Sequence, residues 1–178
     1  VPACGRAFET VSALRAGRPR RALFHAALEV AWAGERYVIE QAPVWNLAVP
    51  DRGVVAGGAV GAPALGRWRW FRYEVRCWRG GRIPDRDWAL PSVRVADGEA
   101  IAGRVVALAP QIPAAVWGRD ELGAGEMWNS NSAIAWLLAR AGVDAALLAP
   151  PEGGRAPGWA AGVIVASRND DGPGIPGP

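Results

Sequence analysis

The chain has 178 residues, of which 51% are hydrophobic and 21% charged; this is enough for one sizeable core and short for two, so one domain over residues 1–168 and a disordered tail over 169–178 are expected. All twenty basic residues are arginine, which excludes chemistry that needs a lysine, both the Walker phosphate loop and Schiff-base catalysis. The net charge of +3 arises within a general bias toward Ala, Gly, Pro and Arg, which weakens it as a sign of a polyanionic partner, and nucleic acid is not an expected ligand.

After a basic lead-in, ALFHAALEV and RYVIEQAPV are two β-type runs separated by AWAG or a close variant, with Gly34 supplying the turn; they predict a hairpin. PDRGVVAGGAVGAPALGR, rich in Gly and Ala and without a strong period, predicts a loop or flap. In WRWFRYEVRCW, Phe71, Tyr73, Val75 and Cys77 alternate with Arg72, Glu74 and Arg76, the pattern of a strand with one face in water. VADGEAIAGRVVALAPQIP places Ile101, Val105 and Leu108 at helical spacing behind Asp97 as a cap, with Pro110 and Pro113 ending the helix. In MWNSNSAIAWLLARAG the apolar stripe Ile134, Leu137, Leu138 and Ala141, closed by Gly142, predicts a helix that starts in a polar cluster. WAAGVIVASR reads as a final strand.

Cys4 and Cys77 lie far apart and His25 is the one histidine, too few ligands for a structural zinc site; Asp85 and Asp87 read as turn caps, and no metal or cofactor is expected. No apolar run is long enough to span a bilayer, so stable membrane insertion is not expected. A cytoplasmic location is the expectation, with an export segment lost before Val1 left open.

Ser130 projects over the stripe of its helix and faces the unpaired N–H groups and positive dipole end of the helix start, surroundings that stabilise an oxyanion; the alternative is that Ser130, Asn129 or Asn131 simply caps the helix. His25 lies in the first run of the hairpin and Glu40 in the second. An even-numbered loop puts both on one face, and a four-residue AWAG loop puts them directly opposite, whereas Glu29 on the same face is a competing partner. A carboxylate beside an imidazole fixes its tautomer and stabilises the imidazolium, so His25 and Glu40 have the chemistry of a base and its orienter. A hydrogen-bonded structural histidine remains the other reading.

FHAALEV, RYVIEQAP and WNSNSAIAWLL together resemble the circularly permuted branch of the NlpC-type papain-like superfamily, which includes lecithin:retinol acyltransferase-like proteins. The resemblance implies an α+β papain-like fold in which a small antiparallel sheet packs against the helix bearing the nucleophile. It also implies roles: His25 as base, Glu40 as orienter, and Ser130 in place of the family's cysteine, with Trp45, Trp128, Asn129 and Asn131 near the substrate. Two functions follow as expectations: hydrolysis or acyl transfer on an amide or ester, or a catalytically inactive module binding a peptide, lipid or glycan. The substrate would be a small molecule, lipid or peptide. A serine hydroxyl must lose its proton during attack, whereas a thiol is already partly ionised, so the substitution bears directly on activity. The many tryptophans, among them Trp68, Trp70, Trp78, Trp88 and Trp117, read either as groove walls or as filling for a core of small side chains.

Overall fold

The computed structural model describes residues 3–46, 51–83 and 91–168. In chain order these form α1 (Ala3–Arg15), β1 (Ala22–Leu23), β2 (Leu28–Trp32), β3 (Glu35–Pro43), β4 (Val54–Ala59), β5 (Arg72–Arg79), α2 (Glu99–Leu108), α3 (Ser130–Arg140), β6 (Gly154–Arg155) and α4 (Trp159–Arg168). The architecture is α+β: a four-stranded antiparallel sheet in the order β2-β3-β5-β4, and a short parallel pair of β1 with β6. Asp85, Asp87 and Trp88, and the tail 169–178, lie outside the described residues.

The hairpin turn is shorter than AWAG. Only Ala33 and Gly34 bridge β2 and β3, both at positive φ (52° and 74°), the type I′ pattern whose twist matches that of the strands. Glu99, in the first turn of α2, accepts a 2.7 Å hydrogen bond from the Ala33 N–H and ties that helix to the turn. Gly98, not Asp97, occupies the α2 N-cap; Asp97 pairs instead with Arg94 on the surface.

Three expectations are corrected. The stretch read as a loop or flap contains β4, and its glycines are there for close approach: a Cβ at Gly58 would lie 2.6 Å from Tyr73 Oη and one at Gly57 2.8 Å from Tyr73 O. β5 is not half exposed. It lies between β3 and β4, and Tyr73, Glu74, Val75 and Arg76 are all buried, so its charged side is an internal network. The segment read as a final strand is helix α4, which buries Ala161, Gly162, Val165 and Ala166 at helical spacing.

One sheet face, carrying Val30, Ile39, Tyr73 and Val75, packs with Ile134, Leu137 and Leu138 of α3 and with Ala161, Val165 and Ala166 of α4 into one core. α4 sits unusually near α3. A Cβ at Gly162 would overlap Ser132 O, and one at Gly158 would lie 2.5 Å from Ser132 Oγ and 2.6 Å from Met127 O. α1 falls in the stretch read as a basic lead-in. Buried Glu9 fastens it, accepting from Arg18 at 2.6 Å, from the Arg21 N–H at 2.8 Å and from Arg155 of β6 at 3.2 Å.

Candidate active site

Ser130 is the first residue of α3. Asn129 at the N-cap is extended (φ −161°, ψ −168°), and its Oδ1 accepts from the N–H groups of Asn131 (2.8 Å) and Ser132 (3.3 Å), while Ser132 Oγ accepts from the Asn129 N–H at 3.1 Å. This is a reciprocal capping box. The Ala133 N–H bonds to Asn129 O, so the cap engages every first-turn N–H except that of Ser130 itself. The capping role thus belongs to Asn129, which leaves the Ser130 side chain and N–H for other work.

His25 Nδ1 lies 2.6 Å from Ser130 Oγ, across 105 positions of sequence. The histidine is not within a strand: it belongs to the four-residue link between β1 and β2, exposed on one side, while Ser130 is only 4% exposed. What holds the link against the helix is Asn131. Its Oδ1 accepts from the Ala26 N–H at 2.9 Å and its Nδ2 donates to Phe24 O at 3.0 Å, one bond on each side of His25. Nδ2 also donates to Pro157 O at 3.0 Å, and Asn129 Nδ2 reaches the same carbonyl at 2.9 Å. Asn131 is 3% exposed and therefore acts by fixing the backbone around the imidazole. Residue type alone pointed to capping or substrate contact for this asparagine; its pairing with a segment 105 residues away is a tertiary fact that local pattern does not carry.

Glu40 lies on β3, where the two-residue turn sets the register. Leu28 pairs with Ile39, where the β2 ladder ends, so the register does not extend to His25. The two-residue turn is even-numbered, but with His25 outside the ladder no cross-strand register sets it against Glu40. Glu40 is also the cross-strand neighbour of Arg76 on β5, whose Nη1 donates to Glu40 Oε1 at 2.8 Å with the guanidinium fully buried. Arg76 Nε reaches Glu74 at 3.3 Å, and Arg52 Nε donates to Glu74 at 2.6 Å. A line of alternating charge therefore runs from Glu40 through Arg76 and Glu74 to Arg52, with Glu40, Arg76 and Glu74 on the sheet face opposite Ile39, Tyr73 and Val75. Burial pushes the Glu74 carboxyl up, but Arg52 and Arg76 together outweigh it and hold the group below its usual range. Glu29, the competing partner, reaches Arg36 at 3.9 Å.

A pocket of about 120 Å³ opens beside His25 and Asn131, walled by Phe24, Leu148, Pro150 and Trp159. Among the described residues, none of the tryptophans read as groove walls lines it. Trp128 is 1% exposed, within the core; Trp45 is 53% exposed on the turn after β3. Trp117 packs edge-on against Tyr73 with ring centroids 5.8 Å apart. Gln41, next to Glu40, is fully buried, and its amide has no hydrogen-bond partner among the described residues. Cys77 is half-buried, and burial pushes its thiol up, away from nucleophile behaviour.

Chemically, the arrangement joins a hydroxyl to an imidazole at hydrogen-bond distance, at the positive end of a helix, next to an apolar recess. Comparison with protein-family models, with curated proteins and with solved structures finds no match.

Proposed function

We propose that the chain is a serine acyl-transfer enzyme of papain-like organisation, acting on an amide or ester. The observation that carries this reading is the 2.6 Å contact between His25 Nδ1 and Ser130 Oγ at the mouth of α3. With Nδ1 unprotonated, the Ser130 hydroxyl donates to it. As Ser130 Oγ forms a bond to the substrate carbonyl carbon, that proton passes to Nδ1 and the negative charge moves to the carbonyl oxygen, toward the Ser130 N–H left free by the cap. Collapse expels the amine or alkoxide, which takes the proton from His25 and leaves an acyl-serine for water or a second nucleophile. Glu40 is the proposed orienter, a buried carboxylate on the strand paired to β2, which follows the His25 link; Arg76 fixes where its carboxylate stands. The pocket beside His25 suits a short apolar group on the acyl or leaving side.

The low exposure of Ser130 favours a second reading, a binding module in which the Ser130–His25 contact is a structural tie. A fluorophosphonate probe separates the two. The enzyme incorporates one phosphonyl group at Ser130, and labelling disappears in Ser130→Ala and His25→Ala with the circular dichroism spectrum unchanged. A folded wild-type chain that resists both fluorophosphonate and β-lactone probes is the binding module.

A further inference from the structure

Between β4 and β5 the run Arg67–Arg72, RWRWFR, is exposed at every residue. Trp70 is 73% exposed, Trp68 45% and Phe71 42%, and the turn carrying Trp45, itself 53% exposed, packs against the 69–71 turn. Three cations are interspersed with three rings here. Arg67 lies over the Trp68 ring at 4.0 Å, and none of the three arginines has an acidic partner among the described residues. So much aromatic surface in one exposed cluster is not the scattered apolar exposure of an ordinary surface.

We infer that this RWRWFR turn, with Trp45, is a docking surface for an anionic lipid bilayer. The composition matches the boundary region of a membrane: tryptophan rings favour the headgroup level, phenylalanine the acyl edge, and unpaired arginines the negative surface potential. A single-stranded nucleic acid would also stack on tryptophan, but it needs a basic groove to follow its phosphates. The depression next to this turn, at Pro63, instead carries Asp120 and Glu121 against the single cation Arg119, a lining that is net negative and not the basic groove a phosphate chain needs. Attachment is peripheral, since no helix among the described residues is long and apolar enough to cross a membrane. The inference is independent of the acyl-transfer reading.

The test is cosedimentation of the full chain with vesicles of phosphatidylcholine, alone or with about one-third phosphatidylserine. The protein should pellet with the anionic vesicles and not with the neutral ones, and moderate salt should release it. Arg69→Ala and Arg72→Ala should each lower partitioning about fivefold. Trp70→Ala with Phe71→Ala should abolish the blue shift in tryptophan emission on binding, with the circular dichroism spectrum unchanged in every variant. Failure of wild-type protein to pellet with anionic vesicles at low salt overturns the inference, as does binding that these substitutions leave intact. Retention of a single-stranded oligonucleotide, lost in the same variants and without vesicle binding, overturns it in favour of nucleic acid.

Discussion

Asn131→Ala is the most informative single substitution, because it removes the bracket around His25 without touching either reacting atom. It deletes three hydrogen bonds, to the Ala26 N–H, Phe24 O and Pro157 O, at a site where the asparagine is 3% exposed. At about 1 kcal/mol per bond, the expected loss is about 3 kcal/mol of stability. For a domain of this size that is a fall of about 6–12 °C in the melting temperature. Activity should fall further than stability explains. With residues 24–26 released, the imidazole no longer stands at hydrogen-bond distance from Ser130, and fluorophosphonate labelling below the melting range should slow by about 100-fold, the cost of a misplacement near 1 Å. Asn131→Asp keeps the acceptor for Ala26 but turns a carboxylate oxygen toward two carbonyls, so it should be at least as damaging as alanine. Differential scanning fluorimetry and labelling rates measure both effects. A melting temperature within about 1 °C of wild type and an unchanged labelling rate would refute the bracket as what positions His25.

Two further outcomes are expected. Arg76→Met strands Glu40 and part of Glu74 in the interior without their shared cation and should cost about 3–5 kcal/mol, whereas Glu40→Gln with Arg76→Met should recover part of that loss in urea unfolding. Glu9 is held down from its ordinary 4.5 to about 2, chiefly by its hydrogen bond to Arg18, then by the Arg21 N–H, with Arg155 adding to both. Its folded value is depressed, so its contribution is full above pH 4.5 and lost as pH falls toward 2; the stability gap between wild type and Glu9→Gln in thermal scans should close over that window.

The parts legible in the sequence are those with a strong local period. The hairpin follows from β-type runs around Gly34, and α3 from its stripe and its polar start. The pairing of His25 with Ser130 followed from the family resemblance and not from either local stretch, and the local sequence did not reveal that His25 lies outside β2. β4 was hidden because VVAGGA has little side chain with which to show a period; its small residues answer to Tyr73 on the next strand, a partner visible only in three dimensions. Glu74 and Arg76 read as part of a wet face with Arg72 because alternation reports polarity and not exposure; the central position of β5 turns those two charges inward while Arg72 stays exposed. α4 misled through Val163, Ile164 and Val165, a run of β-branched, strand-favouring residues of which Val165 alone is buried, whereas Ile164 is exposed.

The two glycines facing α3 bear on mechanics. Backbone atoms of α4 and of the loop before it stand directly behind Ser132 and the Asn129 cap, at separations that leave no room for even a methyl group. Backbone is a stiffer support than side chain, so the first turn of α3 has an anvil at its back: a ligand pressing on Ser130 meets a start of helix that cannot recoil, and any yielding must come from the His25 side of the opening.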